Sequence, residues 1–210
     1  MDITFIITTY KRPQCLRILQ ESIKKYYPSV SVLVYDDTEF DRGVSWARNY
    51  LISQIKTKYF LILDDDFVFN ENTIIEKLYK KAERGYDIVA GSILQDNEII
   101  HYEGFYQLED DILKLVFRKK EPFDFVFQFF VGRTEKFKEC KWDEEIKIGE
   151  HTAFFFDNKG KLKIGYEPSV IIEHLPIKKP AYMFYRNRAT TYFKKWMNKR
   201  NIKEVIKIYE

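Results

Sequence analysis

The residue order predicts an α/β protein: a mostly parallel sheet flanked by helices, with a smaller antiparallel sheet beside it and a C-terminal helix. Three observations carry this. Over the first 90 residues, β-rich runs alternate with helical periodicity at roughly 30-residue spacing, the pattern of βαβ units whose right-handed crossovers lay strands side by side. From Gln95 to Val131, aromatic and β-branched runs (IIHYEGFYQL, ILKLVF, FDFVFQFFV) are separated by acidic or proline-containing turns, as in hairpins. Finally, 210 residues, 45% hydrophobic and 32% charged, suffice for one substantial core and exclude disorder, a collagen-like repeat and a disulfide scaffold.

Ile3 to Thr8 is the first strand. Pro13 suits a first helical turn, and Leu16, Leu19, Ile23 and Tyr26 recur on one face until Pro28 interrupts. Val30 to Tyr35 is a second apolar run; after Gly43, Val44, Ala47, Leu51 and Ile55 mark another helical face. Tyr59 to Leu63 reads as a buried strand, Asn72 to Arg84 as a helix with Ile75, Leu78, Tyr79 and Ala82 inward, and Tyr86 to Ala90 as a fourth strand. The hairpins form an antiparallel edge. A short helix is expected at Glu150 to Asp157, short strands at Leu162 to Tyr166 and Val170 to Ile172, and a final helix from Pro180 carrying Tyr185, Ala189, Tyr192 and Trp196 on one side.

Lys and Arg number 35 against 32 Asp and Glu, too balanced for a nucleic-acid partner. The segment from Pro176 to Glu210 is locally basic, with ten Lys or Arg against two Glu. Two cysteines, Cys15 and Cys140, far apart and outside metal-site spacing, fit a reducing cytosol. No run reaches the roughly 18 apolar residues of a membrane span, and Met1-Asp2 leads straight into a strand, so a cytoplasmic chain is expected.

Open α/β sheets bind ligands beyond the carboxyl ends of their strands. Thr8-Thr9, Asp36-Asp37 and Asp64-Asp65-Asp66 end the first three strands, with Thr8, Asp36 and Asp64 each 28 residues apart, so all three fall on one rim. Three consecutive carboxylates repel one another unless a cation or several donors stand opposite. Oxygen ligands suit Mg²⁺ or Mn²⁺, held by one or two carboxylates plus substrate phosphates. An isolated DDD would sooner be a capped turn with solvated neighbours.

The succession ITTYKRP, VLVYDD, GVSWARN and YFLILDDDF resembles the nucleotide-sugar-dependent glycosyltransferases of the GT-A fold, family 2, over most of the chain. LILDDDFVF together with KWDEEIKIGEHTAFFF is also similar to the β-1,4-N-acetylgalactosaminyltransferase group that includes GM2 synthase. The resemblance implies one GT-A domain over 1–210, with a nucleotide-sugar-binding half (1–95), an acceptor-side half (96–175) and a basic C-terminal helix (176–210). It implies that Asp64 and Asp66 form a DxD motif, with Asp66 the direct ligand of Mn²⁺ or Mg²⁺. It also implies a nucleotide-sugar set of Thr8, Thr9, Arg12, Asp36, Asp37, Arg48, Asp64, Asp65, Arg186 and Arg188. Within that set Asp36, Thr8 and Arg48 surround base and ribose; from spacing alone, Arg48 reads as a surface residue paired with Asp41 or Glu39.

Transfer needs a base for the acceptor hydroxyl. The family's GED-like motif corresponds to Gly149-Glu150-His151, with His151 where Asp is common, so Glu150, His151 and Asp143 are the alternatives and Glu150 the first choice. Against it, an acidic residue there also suits the start of a helix. His174, followed by Leu175-Pro176, resembles a late histidine that contacts metal or diphosphate; His101 carries no function. Arg186 and Arg188 in YRNRA suit a diphosphate. A solvated basic face is the alternative, and a third is contact with an anionic membrane through Lys194, Lys195, Lys199, Arg200, Lys203, Lys207, Trp196 and Ile206.

The expected activity is metal-dependent, inverting transfer of a sugar from a UDP-sugar donor to a hydroxyl of a glycan or lipid-linked acceptor, either by a whole protein or by one unit of a longer polypeptide. Two rivals remain: a non-catalytic nucleotide-sugar or carbohydrate-binding domain, and a metal-dependent nucleotidyltransferase or phosphohydrolase. The latter usually carries a Gly-rich phosphate loop or an early DxD nucleophile, where this first strand ends in TTYKRP.

Overall fold

The structure, a computed structural model, describes residues 1–176 and 180–210. Its elements in order are β1 (Ile3–Thr9), α1 (Pro13–Tyr26), β2 (Ser31–Asp36), α2 (Val44–Gln54), β3 (Tyr59–Asp64), β4 (Phe67–Val68), α3 (Ile75–Glu83) and β5 (Ile88–Gln95). There follow β6 (Glu98–Ile100), β7 (Gly104–Glu109), β8 (Ile112–Phe117), β9 (Phe130–Arg133), α4 (Thr134–Glu139) and α5 (His151–Asp157). The chain closes with β10 (Ile164–His174), α6 (Pro180–Asn187), α7 (Ala189–Lys199) and β11 (Glu204–Tyr209).

The main sheet has the order β2-β1-β3-β9-β5-β10-β4, with β6 alongside β5; β1, β2, β3, β5 and β10 run one way, while β4, β6 and β9 oppose them. A second sheet, β11-β8-β7, stands apart. Alternation along the strands sends Phe5, Ile7, Leu61 and Leu63 toward α1 and α3, and Ile6, Phe60 and Ile62 toward α2, α4, α5 and the second sheet. Both faces are covered, which is why YFLIL reads as an uninterrupted apolar run.

The α/β architecture is as expected; several details differ. β9 is not at an edge: it lies between β3 and β5, antiparallel to both. An aromatic run looks the same whether one face is buried or two, so its position was not encoded in its periodicity. The two short strands expected at 162–166 and 170–172 are one strand, β10, with an irregularity between Tyr166 and Ile171 where Pro168 cannot donate to the ladder.

The tail is not a single helix. α6 and α7 are followed by β11, which pairs in parallel with β8 across the full length Glu204–Tyr209. Two of the apolar residues read there as facing a membrane are used by the fold: Trp196 is 1% exposed and packs in the core, and Ile206 is opposite Lys114 in the second sheet, while Arg200 and Lys203 pair with Asp157 and Asp111. Met183, Phe184 and Tyr209 of the same segment are exposed. Among the described residues no helix is long and apolar enough to cross a membrane.

Two glycines set the loops around the rim. Gly43 (φ +100°) precedes α2, and a Cβ there would come within 2.5 Å of Lys147 Cα; this close approach lets Val44 N donate to Lys147 O at 2.8 Å. Gly149 (φ +80°) allows Ala189 at the start of α7 to approach just ahead of α5. Together they clamp the 146–150 loop between α2 and α7.

Candidate active site

Register places the polar strand ends on one rim, since Thr8 is opposite Asp64 and Thr9 opposite Asp36. Beyond them lies a cleft of about 380 Å³. Its walls include Thr8, Thr9, Arg12, Asp37, Arg48, Asp64, Asp66, Glu150, His151, His174 and Arg186. A further wall is made by Ile93 and Gln95 at the end of β5, Ile100 at the end of β6, Tyr102, and Phe127 and Gln128 ahead of β9.

The three consecutive aspartates separate into different environments. Asp65 is fully buried beneath the cleft and receives Thr9 Oγ1 (2.5 Å), Arg12 Nε (3.2 Å) and Arg12 Nη2; it does not line the cavity. Asp66 turns into the cleft, where its Oδ2 receives Arg12 Nη1 at 2.6 Å and lies 3.4 Å from His174 Nε2. This last contact exists because β10 pairs with β4 through Glu173 opposite Val68 and His174 opposite Phe67, and Leu175 N donates to Asp66 O at 2.9 Å. Burial would raise the Asp66 carboxyl, but His174 and Arg12 outweigh it and hold it below the usual carboxylate range.

His174 Nδ1 lies 2.7 Å from Gln95 Oε1 and Nε2 faces Asp66 Oδ2 at 3.4 Å, so something positive belongs between Nε2 and the carboxylate: a proton carried by the ring or a divalent cation. One imidazole nitrogen and one carboxylate fit Mn²⁺ or Mg²⁺ if a ligand supplies the remaining oxygens. Among the described residues no group of three His, Cys, Asp or Glu is arranged to hold a metal.

Arg48 sits at the centre of the cleft floor. It is 2% exposed, and it donates through Nη2 to Asp64 Oδ1 at 3.0 Å and through Nη1 to Glu150 Oε1. The surface pairing with Asp41 or Glu39 is thereby overturned, because α2 turns this residue inward toward β3 and α5. Asp41 is taken instead by Arg188, at 2.9 and 3.2 Å, which draws Arg188 out of the cleft. Arg186 lines it, with Tyr182 nearby; the Tyr182 ring lies 3.9 Å over the Arg12 guanidinium.

Asp36 is exposed outside the cleft and accepts from Thr38 N. Asp37 is buried, and its carboxylate holds the turn into α2 by accepting from Arg42 N (2.8 Å) and Gly43 N (2.7 Å). Asp143 lies away from the cavity and accepts from Glu145 N. His101 pairs with Glu103.

Glu150 occupies the N-cap position of α5, yet its side chain makes no cap hydrogen bond. Oε1 receives Arg48 Nη1 and, at 3.0 Å, Gln128 Nε2. Burial pushes this carboxyl up; Arg48, its own amide and Gln128 outweigh that and hold it below the usual range. Gln128 went unnoticed in the sequence, although a lone amide inside FDFVFQFFV is the kind of polar interruption that marks a buried contact. Gln95 was missed likewise, at the carboxyl end of the fourth parallel strand.

His151 has an imidazole pKa held down at about 4 by burial, with Glu150 opposing and Arg48 reinforcing the shift. Its sign is definite. Above about pH 6.5 the ring is neutral folded and unfolded; between 6.5 and 4 the unfolded chain takes a proton that the folded one refuses, so stability falls as pH falls. His151→Asn is expected to remove about 3 kcal/mol of the acid destabilisation between pH 7 and pH 4, read from urea unfolding at both pH values. Equal acid sensitivity of wild type and variant would contradict it.

Comparison with known proteins agrees with this architecture. The profile of the family described as Glycosyl transferase family 2 matches residues 38–157. The chain is 32% identical over 203 residues to beta-1,4 N-acetylgalactosaminyltransferase 2 of Mus musculus, covering 82% of this chain and 39% of that protein. It is 30% identical over 205 residues to beta-1,4 N-acetylgalactosaminyltransferase 1 of Homo sapiens, with 82% and 38% covered. It thus spans about two fifths of the length of these relatives. Among solved structures, S. aureus TarS 1-349 in complex with UDP-GlcNAc superposes with a TM-score of 0.60 at 14% identity, covering 85% of this chain and 60% of that one. A197 from STIV superposes with 0.57 at 18% identity, covering 84% and 87%.

Proposed function

The chain belongs to glycosyl transferase family 2, and we propose that its cleft transfers a sugar, with inversion, from a UDP-sugar to a hydroxyl of a glycan or glycolipid acceptor. The observation that supports this most is that Asp66, held by Arg12 and beside His174, shares a single cleft with Arg186, Glu150 and His151. Asp66, His174, Arg12 and Arg186 suit a diphosphate; Glu150 and His151 suit a hydroxyl that must give up a proton. The names of the relatives favour an N-acetylhexosamine as the sugar.

Asp66 and His174 would hold Mn²⁺ or Mg²⁺, which supplies positive charge for the departing diphosphate when bound. The chain's own groups do the rest. Arg12, braced by Asp65 beneath and by the Tyr182 ring above, holds Asp66 in place. Arg186 adds a planar cation at the rim for phosphate oxygens. Arg48 ties the end of β3 to the start of α5 through Asp64 and Glu150.

Calorimetry with UDP, with and without Mn²⁺, tests the reading. UDP is expected to bind at least about tenfold more tightly with Mn²⁺, and UDP-N-acetylhexosamines more tightly again. Equal affinity with and without the metal would remove the metal from the reading, and absence of binding by every nucleotide sugar tried would end it.

A further inference from the structure

On the reading that Asp66 and His174 grip a divalent cation, we propose that Gln95 is the residue that positions the His174 ring. Its amide oxygen takes a hydrogen bond from Nδ1 and so turns Nε2 toward Asp66 and the cleft.

Strand register brings the two residues together. β5 and β10 run in parallel with Leu94 opposite Glu173, so Gln95 and His174 come next on neighbouring strands and share a face of the sheet. On its other side the backbone of Gln95 is held by β6, where it pairs with Glu98 across a two-residue turn. Asp96 (φ +52°) and Asn97 (φ +65°) make that turn in the left-handed region, which these residue types tolerate. Gln95 thus stands at a fixed point on the rim, with Oε1 2.7 Å from Nδ1.

An amide can offer the ring its oxygen or its nitrogen, and Asp96 decides which. Gln95 Nε2 donates to Asp96 Oδ2 at 3.2 Å, and reversing the amide would set its oxygen against that carboxylate. Oε1 therefore faces Nδ1, which must carry a proton. A half-turn of the imidazole about its outer torsion would put carbon atoms where both nitrogens now stand. Phe67, edge-on at 5.6 Å between centroids, limits the tilt of the ring but packs alike against carbon and nitrogen. Only a hydrogen bond tells the two orientations apart, and at Nδ1 the acceptor is Gln95. Fixing Nδ1–H leaves Nε2 3.4 Å from Asp66 Oδ2 and strengthens its lone pair toward a cation.

Two measurements test this. Gln95→Leu keeps the volume and removes the acceptor; Gln95→Glu keeps an acceptor and changes the charge. Mn²⁺ is titrated into the chain saturated with UDP, and the free ion is read by electron paramagnetic resonance. Gln95→Leu is expected to weaken Mn²⁺ binding by roughly 10–100-fold, and Gln95→Glu by much less. Packing alone would reverse that order, because a carboxylate beside Asp96 is then the harsher change. Equal losses, or the reverse order, overturn the proposal. In the metal-free chain, ¹H–¹⁵N NMR is expected to show a His174 Nδ1 proton protected from exchange with water, and Gln95→Leu to lose it. Absence of that proton in the unaltered chain, or its survival in Gln95→Leu, overturns the proposal whatever the metal does. If Mn²⁺ does not bind the UDP-saturated chain at all, the cation reading fails, and the Nδ1 proton still decides whether Gln95 sets the ring.

Discussion

Asp66→Asn is expected to lower Mn²⁺-dependent UDP release by about 10³-fold, about 4 kcal/mol of transition-state stabilisation, while the protein remains folded. The two halves of that expectation have separate causes. Asparagine keeps the shape of the side chain but loses the charge that, on the proposed reading, would offset a cation beside His174 Nε2. The fold survives because Arg12 retains its two-pronged contact with Asp65, and the β4–β10 pairing and the Leu175 N to Asp66 O hydrogen bond belong to the backbone. The neighbouring change Asp65→Asn should do the opposite. It leaves a buried guanidinium short of its counter-charge under the cleft, and is expected to cost roughly 3 kcal/mol of stability by urea unfolding. Full turnover in Asp66→Asn, or a loss of stability as large as that of Asp65→Asn, would show that the three aspartates are not divided in this way.

Arg48→Met is expected to destabilise the chain by about 3 kcal/mol at pH 7 as well as to stop turnover. The arginine joins Asp64 to Glu150, and methionine fills much of its volume without compensating either carboxylate. Glu150 accounts for most of the cost, since it is 7% exposed, whereas the Asp64 side chain is 39% exposed and can be screened by water. The sign with pH follows. Without Arg48 the Glu150 carboxyl moves up, protonation relieves the strain, and the deficit relative to wild type should shrink as pH falls toward 4. Urea unfolding at pH 7 and pH 4.5 measures it; a deficit independent of pH would mean that lost packing, not uncompensated charge, is the cause.

The residue pattern carried the architecture and the rim because both depend on local periodicity plus one topological rule. Runs such as ITFIIT and YFLIL can bury both faces only as parallel strands between helices, and right-handed crossovers then put Thr8 opposite Asp64 and Thr9 opposite Asp36. Motif order supplied the family in the same way. What periodicity could not supply was which side each polar group faces and what is drawn to it from far along the chain. Asp64, Asp65 and Asp66 look alike in a string of letters, yet the tight turn after β3 sends Asp65 under the cleft and Asp66 into it. Arg48 is joined to Glu150 across 102 residues, and His174 to Asp66 by a strand pairing whose partner, Phe67-Val68, is two residues long. The single C-terminal helix was a misreading for a related reason: the lysines of the tail are at the surface as composition suggests, but Trp196 is consumed by the core and the last six strand residues by β8. Strand order and burial pattern are written in short-range chemistry; the pairing of charges in a low-dielectric cleft is settled by long-range closure, where each group takes whichever partner the packed backbone brings within about 3 Å.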